Sequence, residues 1–213
     1  MAKTNDQPAE TETGGSNRKR YALYGAAGVG LLAVAGAGYM FYREKSIEKP
    51  KYEPSEADGS FELRDYPELL VAEAVAAGDR AAALDKGFGH LADYIFAKSR
   101  DGAKVAMTAP VLSSAAGAGK WATRFVMPSK FTKDTLPATG ADVAIKTIPA
   151  RKVAVFQFGG VTEEDVLAAH EQELKDWVGA KKFAATGEPE RAFYNSPFTP
   201  GPLRRTEIWL PIA

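Results

Sequence analysis

Residues 61 to 96 and 143 to 178 carry one pattern twice, at a constant offset of 82 and without a gap. Phe61, Leu63, Pro67, Val71, Ala72, Gly78, Leu84 and Ile95 fall on Val143, Ile145, Pro149, Val153, Ala154, Gly160, Val166 and Trp177. A supersecondary unit used twice leaves each copy with an apolar face that the other copy covers. The repeat therefore calls for a single duplicated domain.

In the first copy, Phe61 to Arg64 alternates apolar and polar as a strand does, Tyr66-Pro67 interrupts it, and Leu69 to Ala76 resumes it. Gly78-Asp79 ends that strand and offers a helix N-cap. Leu84, Phe88, Leu91 and Ile95 recur at helical spacing, which predicts an amphipathic helix over 81–98. An extended stretch follows over 104–112, then a Ser/Ala/Gly turn and a strand over 121–127. The second copy predicts strands over 141–148 and 152–158, a helix over 163–178, and strands over 190–194 and 206–211. Thr162 and Asp165 have the spacing of a capping box at that helix. The expected fold is α+β, with duplicated β-β-α-β-β units over about 59–128 and 141–213. Eight mainly antiparallel strands close into a distorted barrel with two flanking helices.

Residues 1–20 are polar without apolar period and read as disordered, while 43–58 read as a charged tether, so that the domain starts near Gly59. Between them, 21–42 holds no charged residue and at 1.5 Å per residue spans roughly 33 Å, enough for one transmembrane helix. Arg18, Lys19, Arg20, Arg43 and Lys45 flank it, with Tyr21, Tyr24, Tyr39, Phe41 and Tyr42 near its ends. The expectation is a single-pass anchor with the domain on the translocated side; an A-x-A pattern at 33–37 offers the competing reading of a cleaved signal.

Lys+Arg and Asp+Glu balance at 27 each, which argues against nucleic-acid binding, and the absence of cysteine excludes disulfides, thiolate ligands and a cysteine nucleophile. No nucleophile elbow, phosphate loop, zinc-protease motif or paired-acid motif is present, so nothing points to an enzyme. Glu163-Glu164-Asp165 is explained by the positive end of the helix that follows it.

The helix over 81–98 carries a second feature beside its core stripe, a wedge of Ala81, Asp85, Gly89, Ala92 and Phe96. A glycine inside a helix costs about 1 kcal/mol relative to alanine. Two readings account for it: a flat ligand lying on a shelf framed by Phe88 and Phe96, or close packing of another backbone segment.

Several stretches resemble the SOUL haem-binding protein family: 61–67 (FELRDYP), 87–95 (GFGHLADYI), 104–111 (KVAMTAPV), 126–130 (VMPSK), 194–200 (YNSPFTP) and 204–211 (RRTEIWLP). The resemblance covers about 59–213 and implies a duplicated α+β barrel that holds haem or a related tetrapyrrole non-covalently, between the first helix and a C-terminal loop. Carried over by position, it implies a site of Phe88, Gly89, Ala92 and Phe96 with Tyr194 to Phe198. Family members place basic groups on this helix for the propionates, where this chain has Asp85 and Asp93; Arg204 and Arg205 are the alternatives.

For axial ligation, His90 reads as solvent-facing, whereas His170, the internal equivalent of Phe88, reads either as a hydrogen-bonded core residue or as an iron ligand. The leading expectation is a membrane-tethered tetrapyrrole carrier, buffer or sensor. The competing ones are a generic hydrophobic-ligand module, an architecture shared with gyrase-inhibitor-like domains, and a protein-interaction scaffold.

Overall fold

In the computed structural model, residues 46–98, 100–196 and 199–213 are described. They contain strands β1 (Glu53–Asp58), β2 (Phe61–Tyr66) and β3 (Leu69–Ala77), helix α1 (Arg80–Ile95), then β4 (Val111–Ala115), β5 (Lys120–Val126), β6 (Ala144–Ile148) and β7 (Arg151–Phe158). Helix α2 (Glu164–Ala180), β8 (Glu190–Phe193) and β9 (Thr206–Ile212) complete them.

All nine strands join one antiparallel sheet in the order β1-β2-β7-β9-β8-β4-β5-β3-β6. Without β1, exchanging the two repeats turns this order into itself reversed, so the duplication is a pseudo-two-fold axis between β4 and β8. Register follows: Leu69 pairs with Ile148 and Tyr66 with Arg151, and each pair becomes the other by a shift of 82. The leading strand of each copy pairs with the other copy's second strand, which is why neither unit closes its core alone.

Two expectations are corrected here. The sheet is not a closed eight-stranded barrel but a nine-stranded half-barrel with β1 and β6 at its edges. The extra strand comes from the stretch that reads as a tether, where Ser55 Oγ donates to the Leu63 carbonyl at 3.3 Å and Ile47 and Tyr52 pack on the inner core. The membrane span expected over 21–42 lies outside the described residues. Among the described residues no helix is long and apolar enough to cross a membrane, and the expected membrane attachment and translocated domain are not carried further. The disordered N-terminus expected over 1–20 and the A-x-A pattern also lie outside those residues.

Strand alternation divides the apolar residues between two faces. Val71, Leu112, Val126, Val153, Val155, Ala192 and Trp209 meet inside the curl. On the outer face, Ala72, Ala74, Val111 and Phe125 lie beneath α1, and Ala154, Phe156, Ile208 and Leu210 beneath α2. Asp79 caps α1 as expected, accepting from Ala82 N at 2.9 Å. The capping box does not form, since Glu163 is the N-cap of α2 and Asp165 accepts from Val166 N. β4 begins later than expected and includes Ser113 and Ser114, with Ser114 Oγ accepting from Arg124 at 2.8 Å on the inner face.

Candidate functional site

Helix α1 turns Ala83, Gly87, Leu91, Tyr94 and Ile95 toward the sheet. The glycine packed against a neighbour is Gly87: a Cβ there would stand 2.6 Å from Thr123 Oγ1 and 2.9 Å from its Cβ. Phe88, expected both in the helical stripe and at the border of the shelf, lies on the flank at 38% exposed, with its ring edge-on to Phe125 at 5.2 Å. At Gly89 an added Cβ would meet nothing within 4 Å, so close backbone packing does not account for that residue. Phe96 is 39% exposed on the same flank, Ala92 is buried between the two rings, and Ala81 and Asp85 are exposed at its N-terminal end.

The opposite flank of α1 reaches β6 and the segment before it: Tyr94 donates to the Pro137 carbonyl at 2.9 Å, and His90 stands 3.7 Å from Asp142 beside a cavity of about 220 Å³. The Phe88 flank therefore faces β4 and β8, the two strands left between the helices. Cross-strand register lines up Phe125, Val111 and Phe193 as one apolar row on that outer face, and Thr123, Ser113 and Arg191 as the next row. Ser113 Oγ and Thr123 Oγ1 are buried without a hydrogen-bond partner.

The second repeat shows what fills the matching space. Ser113 faces Thr123 on β5 as Arg191 faces Ile208 on β9, and Ser113 and Arg191 also face each other across the axis, so they are counterparts. Gly89 and Glu171 are counterparts by the offset of 82. In the second repeat, Arg191 Nε donates to Glu171 at 2.5 Å and its fork donates to Glu164 at 2.9 and 2.8 Å, with Arg80 bound to Glu164 from the far side. Hydrogen bonds from Arg191, against partial burial, and then from Arg80 hold the Glu164 carboxyl below its ordinary range. Charged side chains fill one half, and Arg191 lies 5.3 Å over the Trp121 ring above buried Ser113; in the other half Gly89 faces open space.

The remaining sequence-predicted residues lie elsewhere. Tyr194 is buried on the inner face and donates to Glu207 at 2.8 Å; burial pushes its hydroxyl pKa up. Arg205 lies 4.3 Å over the Tyr194 ring and donates to Glu207 at 2.9 and 2.6 Å. Arg64 and Trp209 complete the set, at 2.8 and 2.7 Å from the same carboxylate. Arg204 donates to the Thr199 carbonyl at 2.7 Å. Phe198 lies outside the described residues. His170 is half-exposed on α2, its ring against Phe156 and Phe158 at 4.9 and 4.3 Å and its Nδ1 3.2 Å from Glu173. It has the carboxylate partner that the sequence did not reveal. A separate cavity of about 420 Å³ opens at Lys51, Tyr52, Glu53, Asp65, Tyr66 and Pro67.

A planar macrocycle suits the Phe88 flank through its ring face. Gly89 leaves clearance, Ala92 keeps the surface shallow, and Phe88 and Phe96 supply aromatic borders. These four residues offer no iron ligand, so the fit is to the ring and not to the metal. Sequence reasoning missed Phe125, Val111 and Phe193, because only cross-strand register brings them together.

Among solved structures, the EcmrR C-terminal domain is 16% identical with a TM-score of 0.55, over 76% of this chain and 98% of that one. The EcmrR–DNA complex is 15% identical with a TM-score of 0.54, over 92% of this chain and 70% of that one. Both likenesses concern the fold alone. No curated protein matches the chain. The profile of the SOUL heme-binding protein family matches residues 47–211, which is most of the sequence and includes both repeats and the Tyr52 segment. The chain belongs to the SOUL heme-binding protein family.

Proposed function

We propose that this protein binds haem or a related porphyrin non-covalently on the Phe88 flank of α1 and acts as a carrier, buffer or sensor of that ligand. Family membership supports both the ligand class and a binding role instead of a catalytic one. The observation that carries the placement is the clear space beyond Gly89, bordered by two aromatic rings that α1 leaves 38% and 39% exposed. Exposed large apolar side chains gathered in one patch mark interaction sites. Bound haem supplies its own chemistry through its iron. The protein's part is to hold the ring against Phe88 and Phe96 and to keep water off one face.

Titration of haemin into the full-length chain tests this. The expected result is a saturable Soret shift at one equivalent with micromolar or tighter affinity. A featureless titration overturns the proposal.

A further inference from the structure

The arginines around the flank, and Lys98, are committed to other partners. Arg191 is held by Glu171 and Glu164, and Arg80 by Glu164. Lys98 lies 3.3 Å from Asp93. Arg100 gives its donors to the carbonyls of Tyr94, Asp101 and Ala103, each at 2.9 Å. Arg205 belongs to Glu207 on the inner face. Asp85, in contrast, is exposed within the wedge itself, one helical turn before Gly89. The neighbouring Lys86 points about 100° further round the helix. A ligand carboxylate brought to this flank meets a carboxylate first, and reaches Arg191 only by displacing one already bound there.

We infer that the site grips a porphyrin by its ring face and leaves the ligand's carboxylates in water, taking the neutral diester at least as well as the diacid, with Asp85 setting that order. The inference rests on the porphyrin reading above. It makes ring shape, not acid side chains, the basis of selection, and extends the ligand class to planar macrocycles with a neutral edge.

The experiment titrates metal-free protoporphyrin and its dimethyl ester into the full-length protein, into Asp85→Asn and into Asp85→Lys, with circular dichroism checking the fold of each. In the wild type the ester binds at least as tightly as the diacid. Asp85→Asn raises diacid affinity relative to ester affinity about threefold, Asp85→Lys raises it further, and both effects shrink with added salt because the charge is exposed. The inference is overturned if the wild type prefers the diacid by about tenfold or more, or if neither variant moves the ratio. If neither compound binds the wild type, the porphyrin reading itself falls, an outcome distinct from an unchanged ratio.

Discussion

Arg191 donates its Nε–H to Glu171 at 2.5 Å, where the first repeat has buried Ser113 and a Gly89 that faces open space. The half-barrel thus keeps its two-fold plan in backbone and register while its outer faces have diverged, one closed by charge and one left as a shelf. The divergence continues below the helices, where Phe156 beneath α2 stands for Ala74 beneath α1.

Two glycines of α1 should respond in opposite directions to the same change. Gly89→Ala gains about 0.5–1 kcal/mol of helix stability, since the new methyl meets nothing within 4 Å. Gly87→Ala drives a methyl into buried Thr123, and overpacking of about 1–3 kcal/mol outweighs the same gain. Thermal melts should rise by about 1–4 °C for the first and fall for the second.

Truncating the aromatic border weakens ligand binding without unfolding the chain. Phe88→Ala and Phe96→Ala each remove a partly exposed ring, and each should cost about tenfold in haemin affinity, the upper end of an aromatic contact. Far-ultraviolet circular dichroism should not change.

Iron should matter little to affinity. His90 stands on the far flank beside Asp142, and His170 is packed on α2 between two phenylalanines. Haemin and metal-free protoporphyrin should therefore bind within about threefold of each other. His90→Ala and His170→Ala should each leave the Soret maximum of the complex in place.

Much of this was legible in the sequence, and the exceptions have physical causes. The offset of 82 pointed to a duplicated unit, and the β3 and β7 strands and both helices followed from periodicity. Phe88 shares the helical spacing of Leu84 and Leu91 and also reads as a border of the shelf; the structure leaves it 38% exposed beside Phe125, while Gly87 is the α1 residue that approaches Thr123 closely. β1 was missed because Glu53, Glu56 and Asp58 make an edge strand resemble a tether. Tyr194 sits beside Phe193 in sequence, yet alternation sends them to opposite faces of the sheet. The Phe125–Val111–Phe193 row depends on register, which no local pattern encodes.

Acid should destabilise the fold through its inner face. Burial raises the Glu207 carboxyl, but hydrogen bonds and charge from Arg64, charge from Arg205 and the Trp209 donor outweigh it and hold the group below its ordinary value of 4.5. The unfolded chain takes up this proton near that value and the folded chain only at lower pH. The contribution is therefore complete above about pH 4.5 and is lost as pH falls toward the depressed folded value. Glu73 and Glu164, also lowered, act in the same direction. Glu207→Gln removes one of the two carboxylates that hold buried Arg64 and leaves Glu62 in place, so denaturant melts at neutral pH should show a loss of about 1–3 kcal/mol, with a shallower decline in acid than the wild type.

Amide chemical-shift mapping of protoporphyrin on the isotopically labelled protein tests the location of the site most directly. The account predicts shifts gathered on residues 88–96 of α1 and on Val111, Phe125 and Phe193 of the floor. Shifts gathered instead around Tyr52 and Tyr66, with the α1 flank unmoved, would contradict it.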